Sequence, residues 1–122
     1  MLLTLLTGKI HRATVTESCL DYEGSISIDS RLLEEAGIRP HERVDVYDIT
    51  NGSRFSTYAI AAEADSGRIA INGAAAQLAH PGDLIIIAAY AQMSPEEADH
   101  HAPRIVVVDA GNRIRQLTRE KA

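Results

Sequence analysis

The sequence predicts a small, mostly β protein, and three observations carry that reading. Arg43-Val-Asp-Val-Tyr-Asp-Ile49 and Arg54-Phe-Ser-Thr-Tyr-Ala-Ile60 flank Asn51-Gly52. Asn-Gly between two such runs is the strongest short-range hairpin signal, because both residues tolerate positive φ. Turn signals recur about every ten residues, at Ser66-Gly67, Pro81-Gly82 and Gly111-Asn112 among others, the spacing of a small barrel. Asp83-Leu-Ile-Ile-Ile-Ala-Ala-Tyr90 is a continuous apolar run, as expected of a strand buried on both faces. The chain has 122 residues, which fits one domain, residues 1–122, with a modest core. No internal repeat, linker or low-complexity segment is visible in it.

The elements follow in order. Leu3 to Thr16 is rich in β-branched and apolar residues and reads as one long or bent strand. Ser25-Ile-Ser-Ile-Asp29 alternates polar and apolar residues, the period of a half-buried strand. Ser30-Arg-Leu-Leu-Glu-Glu-Ala36 is a short helix, with Asp29 or Ser30 to cap its start and Gly37 where a left-handed C-terminal residue is wanted. The hairpin comes next, then a short strand over Arg68-Ile-Ala-Ile-Asn72 and a helical turn over Gly73-Ala-Ala-Ala-Gln-Leu78. Ser94-Pro-Glu-Glu97 opens a second helix, with Ser at the cap, Pro at the first position and Glu closing a capping box. Pro103-Arg-Ile-Val-Val-Val108 pairs with Arg113-Ile-Arg-Gln-Leu117 about Gly111-Asn112, and the polar end to Ala122 is expected to fray.

Composition narrows the function. The net charge of -5 gives no electrostatic footprint for nucleic acid. No stretch of about 18 apolar residues exists, so no membrane span is expected. Met1-Leu-Leu-Thr-Leu-Leu6 is apolar, but Lys9, His11 and Arg12 follow it instead of preceding it, which suits a strand better than a signal peptide. Cys19 is alone, so no intrachain disulfide can form, and a reducing cytoplasm fits. The histidines lack metal-ligand spacing. His100-His101 falls in the second, polar helix, where a solvated face is expected.

Several residues stand out chemically. Arg54 and Tyr58 lie four apart on a predicted strand and so share a face; Thr57 falls on the other. Arginine offers a planar fork that matches a carboxylate. By themselves these residues suit a surface ion pair and a packed edge aromatic. Asn72-Gly-Ala-Ala-Ala76 reads as a hairpin turn, or as a helix start whose backbone N–H groups at Gly73, Ala74 and Ala75 face an anion. Lys9 and His11 are basic residues on a strand. Gly24-Ser25, within Asp21-Tyr-Glu-Gly-Ser-Ile-Ser-Ile-Asp29, is an ordinary turn entering a strand when taken alone.

Taken together, Gly8-Lys-Ile-His-Arg12, Gly24-Ser25, Thr50-Asn-Gly-Ser-Arg-Phe-Ser-Thr-Tyr-Ala59 and Ile71-Asn-Gly-Ala-Ala-Ala76 form an ordered set. It resembles the pyruvoyl-dependent aspartate 1-decarboxylases from about residue 1 to about residue 110. The resemblance implies a double-psi β-barrel assembled as a homotetramer. It implies that the chain cuts itself between Gly24 and Ser25, giving a short chain 1–24 and a long chain 25–122. A glycine before the serine has no side chain to block the bend that brings the hydroxyl onto the preceding carbonyl, and it can adopt strained angles. Ser25 would become a covalent pyruvoyl group, whose ketone condenses with the substrate amine as a Schiff base and acts as electron sink. No metal and no pyridoxal phosphate is then needed.

The resemblance further implies roles residue by residue. Arg54 grips the carboxylate of L-aspartate, and Tyr58 donates the proton after CO₂ leaves. Thr57 lies near the scissile bond, which requires a bulge in its strand or a site between subunits. Gly73, Ala74 and Ala75 contact substrate. Lys9 and His11 sit near the site, Asn72 precedes the contact loop, and Tyr47 stands where the family often has an aromatic, as a wall. The product would be β-alanine, feeding pantothenate and coenzyme A. Some members mature with a helper protein, and the sequence names none. Two alternatives remain open at this point: an unprocessed β-barrel binding module that keeps Ser25 intact, and a pyruvoyl decarboxylase for another amino acid.

Overall fold

A computed structural model describes residues 1–119; the expected fraying of the end falls on residues 120–122, outside that range. The chain is mostly β. Its strands are β1 (Leu3–Thr14), β2 (Glu17–Cys19), β3 (Ser25–Asp29), β4 (Arg43–Asp48), β5 (Arg54–Ala62), β6 (Ile69–Asn72), β7 (Leu84–Met93), β8 (Arg104–Val108) and β9 (Ile114–Arg119). Two short helices, α1 (Ser30–Ala36) and α2 (Pro95–Asp99), and a 3-10 turn (Gly73–Gln77) interrupt them. Neighbours in the hydrogen-bonded order are β2-β6-β3-β5-β4-β7-β1-β8-β9. The pairings β1–β8, β2–β6 and β3–β5 are parallel, and the rest are antiparallel.

The core is written at period two. Ile26 and Ile28, Val44 and Val46, Ile69 and Ile71, and Ile85 and Ile87 are all fully buried, each pair two residues apart on one strand and so on one face. β-Branched side chains fill such a pleated surface well. β1 is one long strand, Leu3–Thr14, with two register shifts against β7, between Leu6 and Gly8 and between His11 and Ala13. Arg12, at the second, takes a left-handed φ of 64°. Gly8 lies so close to the end of α1 that a Cβ there would collide with the Ala36 carbonyl oxygen.

Both helices start as the sequence dictates. The Asp29 carboxylate accepts from the Arg31 N–H at 2.9 Å, and Gly37 closes α1 in the left-handed region at φ 70°. Ser94 and Glu97 form the capping box of α2 in both directions. The hairpin between β4 and β5 forms about Asn51-Gly52, but only Gly52 has positive φ. Asp48 does the remaining work of the turn, accepting from the Thr50 N–H at 2.9 Å and the Asn51 N–H at 3.1 Å.

Three expectations need correction. β3 is not half-buried: all five of its residues are buried. Its polar positions face inward because the Asn72 side-chain amide satisfies both serines, so an alternating pattern here reports a bonded polar layer and not solvent. β7 is not buried on both faces throughout, since Leu84 and Ile86 are half-buried and Tyr90 is exposed. His100 and His101 follow α2 instead of lying in it, and the His101 Nε2 sits 2.6 Å from the Leu6 carbonyl oxygen, docking the segment on β1.

Candidate active site

The residues singled out by the sequence fall into two groups on the folded chain. The first surrounds the Gly24–Ser25 link. Gly24 is exposed in the turn ahead of β3, whereas Ser25 is only 2% exposed. Asn72, ending β6, pairs with Ser25 across the antiparallel ladder. Its amide donates to the Ser25 Oγ at 3.0 Å and to the Ser27 Oγ at 3.1 Å. The Ser25 oxygen is therefore an acceptor of fixed position whose own proton remains to be given away.

Gly73 follows with φ 75°, and a Cβ there would stand 2.7 Å from the Gly24 Cα and 2.8 Å from its nitrogen. Glycine is demanded at 73 by angle and by space together. At Gly24 it is demanded by neither: its φ lies outside the left-handed region, and nothing lies within 4 Å of an added Cβ. Gly24 thus carries no left-handed strain in the uncut chain, and the missing side chain leaves an open approach to the link. Ala74 is exposed and Ala75 half-buried. With Gly73 they open a 3-10 turn of five residues, too short for the dipole of a full helix start. Small side chains and backbone N–H groups are what this segment offers.

The parallel ladder pairs Ile26 with Ala59. The ladder begins at that pair, so Ser25 precedes its first residue on β3 and Tyr58 its first residue on β5. β5 keeps unbroken register with β4, so no bulge turns Thr57 outward. Thr57 is half-buried on the face it shares with buried Ala59, and Arg54, Ser56 and Tyr58 are exposed on the other.

The second group lies on the outer face of four adjoining strands, β5-β4-β7-β1. Direct pairs Arg54–Tyr47, Tyr47–Ile86 and Ile86–His11 make one row across them. Ser56–Asp45, Asp45–Ala88 and Ala88–Lys9 make the next. Directly paired residues in antiparallel ladders face the same side, so Arg54, Tyr47, His11 and Lys9 look the same way although the sequence scatters them. The Arg54 guanidinium lies 4.2 Å over the Tyr47 ring. Among the described residues it has no ion pair or side-chain hydrogen bond, which leaves its donors for a carboxylate. A cavity of about 270 Å³ opens there, lined by Asp45, Tyr47, Arg54, Phe55 and Ser56. Burial, with the charges of Lys9 and Arg12, holds the His11 pKa below its ordinary value, and its Nδ1 is buried without a partner. His11 is therefore a neutral imidazole at pH 7.

Arg54 and Tyr58 share a face of β5 as expected, yet four residues of strand set their Cα atoms about 13 Å apart. Sharing a face here is not sharing a small ligand. Two neighbours escaped the sequence reading. Tyr90 places its hydroxyl 2.9 Å from that of Tyr47; it ends the apolar run of β7 and was absorbed into it as core. His41, held at φ 74°, stacks on Tyr58 with ring centroids 6.4 Å apart, and nothing in its local sequence signals that contact. No cluster of three or more metal-ligating side chains is found among the described residues.

Comparison with known proteins places these features. The family model described as aspartate decarboxylase matches residues 1–115. The chain is 59% identical over 114 residues to aspartate 1-decarboxylase 2 of Gloeobacter violaceus, spanning 93% of this chain and 91% of that one. It is 56% identical over 116 residues to the aspartate 1-decarboxylase of Caulobacter vibrioides, spanning 95% and 98%. It is 60% identical over 114 residues to that of Xanthomonas campestris pv. campestris, spanning 93% and 90%. The crystal structure of a computationally designed protein overlays with a TM-score of 0.45 at 15% identity, over 70% of this chain and 96% of the design, a likeness too loose to decide the fold. With its family model spanning the Gly24–Ser25 link, the Asn72–Gly73 contact and the Arg54 face alike, the chain belongs to the aspartate decarboxylase family.

Proposed function

We propose that the chain is a carboxy-lyase that converts L-aspartate to β-alanine and CO₂, after breaking its own backbone between Gly24 and Ser25. The β-alanine would supply pantothenate and coenzyme A synthesis in the cytoplasm. The observation that carries the reading is the Ser25 hydroxyl, buried and held by Asn72 at 3.0 Å beside an exposed glycine link, in a chain of this family. The Ser25 Oγ attacks the Gly24 carbonyl carbon, the C–N bond opens, and the acyl group passes to oxygen. Loss of the Ser25 Cα proton expels the Gly24 carboxylate and leaves a dehydroalanine. Water then replaces its nitrogen, ammonia departs, and a pyruvoyl group heads a chain of residues 25–122, with residues 1–24 as the other product.

The residues present fit such a group. Ser25 contributes its three carbons; its hydroxyl oxygen, now held by Asn72, would leave with the Gly24 carboxylate. The neighbouring Gly73, Ala74 and Ala75 carry small side chains or none. Once formed, a pyruvoyl ketone supplies an electron sink for the carbon that loses CO₂. The chain's own side chains do the rest. Arg54 holds the substrate's side-chain carboxylate. Tyr58, the residue before the first β5 position paired with β3, returns a proton to the carbon left by CO₂; a phenol is neutral at pH 7 and can stand beside an apolar intermediate. Lys9 and His11 share the Arg54 face, with Tyr47 as its wall. Neither metal nor pyridoxal phosphate has a part in this scheme.

We further infer that the strands close as a double-psi β-barrel and that the barrels assemble as a homotetramer. The separation of Arg54 from Ser25 and Tyr58 supports an assembly in which the Arg54 face of one protomer meets the cleavage turn of the next. The test is an intact-mass spectrum of the purified protein together with β-alanine production. Fragments 1–24 and 25–122 with turnover of L-aspartate are expected. An uncut 13.2 kDa chain that turned over aspartate would overturn the self-cleavage. A cleaved chain that ignored aspartate and consumed another amino acid would overturn the substrate.

A further inference from the structure

Five side chains on the outer face of β4, β5 and β7 form a connected network that neither the cleavage nor the proton transfer uses. The Tyr47 hydroxyl donates to the Asp45 Oδ2 at 3.4 Å and lies 2.9 Å from the Tyr90 hydroxyl. The other Asp45 oxygen accepts from Ser56 at 2.7 Å, and the Ser56 oxygen accepts from the Arg43 Nη2 at 3.2 Å. With the Tyr47 proton directed at Asp45, its oxygen is left to accept from Tyr90. The chemistry of Tyr90 agrees with the donor role. Its bond to Tyr47, burial and the nearby Asp45 charge push its pKa up to about 12, so it keeps its proton at any working pH.

The ring held by this network is the one on which Arg54 rests, at 4.2 Å. An exposed arginine with no ion pair among the described residues would otherwise sample many rotamers. A tyrosine ring fixed at both ends, by strand pairing and through its hydroxyl, restricts the guanidinium to a plane and leaves its edge free. We propose that Tyr90 is a positioning residue for substrate binding: its hydroxyl pins Tyr47, and Tyr47 presents the Arg54 fork to the substrate carboxylate. Tyr90 touches neither substrate nor the reacting atoms. Its effect falls on binding and not on the chemical step, and it rests on the reading that Arg54 takes that carboxylate.

The test is Tyr90→Phe, which removes one oxygen and keeps the ring. In fully cleaved enzyme the KM for L-aspartate should rise roughly 3- to 10-fold, the scale of one lost hydrogen bond, with kcat within about twofold. Tyr47→Phe should match it, and the double variant should be no worse than either single one, because both remove the same link. A readout independent of turnover is the Arg54 Nε–H resonance, shielded by the ring beneath it in the parent and moved toward its free position in Tyr90→Phe. Arg54→Ala separates the two levels of the claim. If Arg54→Ala raises KM while Tyr90→Phe shifts neither KM nor the resonance, the role of Tyr90 is overturned and that of Arg54 stands. If Arg54→Ala leaves KM unchanged, both fall.

Discussion

A methyl group at position 73 has nowhere to go. It would press on the Gly24 Cα at 2.7 Å and would need a left-handed backbone at φ 75°. Gly73→Ala is therefore expected to displace the turn that carries the scissile link, slowing release of the 1–24 fragment by about tenfold or more, with a stability cost of about 1 kcal/mol. The measurement is the time course of that fragment by mass spectrometry after refolding, and release at the parental rate would sink the steric argument. Tyr58→Phe tests the other end of the site. It keeps the ring and removes the acidic proton, so cleavage should proceed while β-alanine production drops by ~10²–10⁴-fold. Near-parental turnover would move the acid to His11, Lys9 or water. At this scale the sequence singles out Ser25, Arg54 and Tyr58 by residue type and family block, and the roles proposed for them rest on that. It was silent on Tyr90 and His41, whose importance lies in a neighbour reached only through folding. For Gly24 the missing side chain leaves the approach open, while the left-handed φ and the steric demand sit on Gly73 instead.

Among the elements, the β4–β5 hairpin is held to the start of β7 by a carboxyl pair. Asp48 and Asp83 are 3% and 9% exposed, and the Asp48 Oδ2 is buried with no hydrogen-bond partner among the described residues. Burial, and then the neighbouring Asp83 carboxyl, push the Asp48 pKa up, while the Asp48 carboxyl holds the Asp83 pKa down, the opposite shifts expected if the two share one proton carried by Asp48. The His80 Nδ1 lies 3.8 Å from the Asp83 Oδ2. The signs follow from linkage. A raised folded pKa gives Asp48 a contribution complete below its unfolded pKa and lost as pH rises through the folded value. A lowered one gives Asp83 a contribution complete above its unfolded pKa and lost as pH falls through the folded value. The dock is tightest between the two. Asp48→Asn keeps a donor toward Asp83 without a titrating proton and keeps an oxygen for the Thr50 and Asn51 N–H groups. The parent should lose Tm as pH rises above the ordinary carboxylate range, and the variant should not. A difference of about 1 kcal/mol corresponds to about 4 °C or more, and parallel Tm curves for the two proteins would refute the shared proton. Local signals made the helices, the hairpin and both caps legible, because capping boxes and Asn-Gly act within a few residues. Burial of both faces of β3 and the exposed end of β7 were not legible, since each depends on which strand lies alongside.

For the molecule as a whole, the family blocks and the turn spacing already announced a mostly β chain, whereas the sequence could not say how its scattered basic residues meet. The sheet does: one cross-strand row brings His11 beside Ile86, Tyr47 and Arg54. That row stands apart from Ser25, and large apolar or aromatic side chains remain uncovered, Tyr22 at 58%, Tyr58 at 37% and Tyr90 at 39% among them. A proton transfer to carbon beside open water would be poorly controlled, and a second protomer laid against this face would close it. The expected assembly is a tetramer, so light scattering that gave a monomer mass for fully active enzyme would contradict it. A sharper prediction concerns shared sites. Arg54→Ala and Tyr58→Phe chains should each be nearly inactive alone. If Arg54 of one protomer serves the Ser25 and Tyr58 of another, chains of the two kinds, co-refolded in equal amounts, assemble some sites from two unaltered halves. Random mixing makes that about a quarter of all sites, and activity should recover toward that fraction. A site drawn wholly from one chain would recover nothing, since every chain in the mixture carries one lesion. The recovery should also disappear when the two variants are mixed after assembly under conditions where protomers do not exchange, which separates a composite site from contamination by parent enzyme.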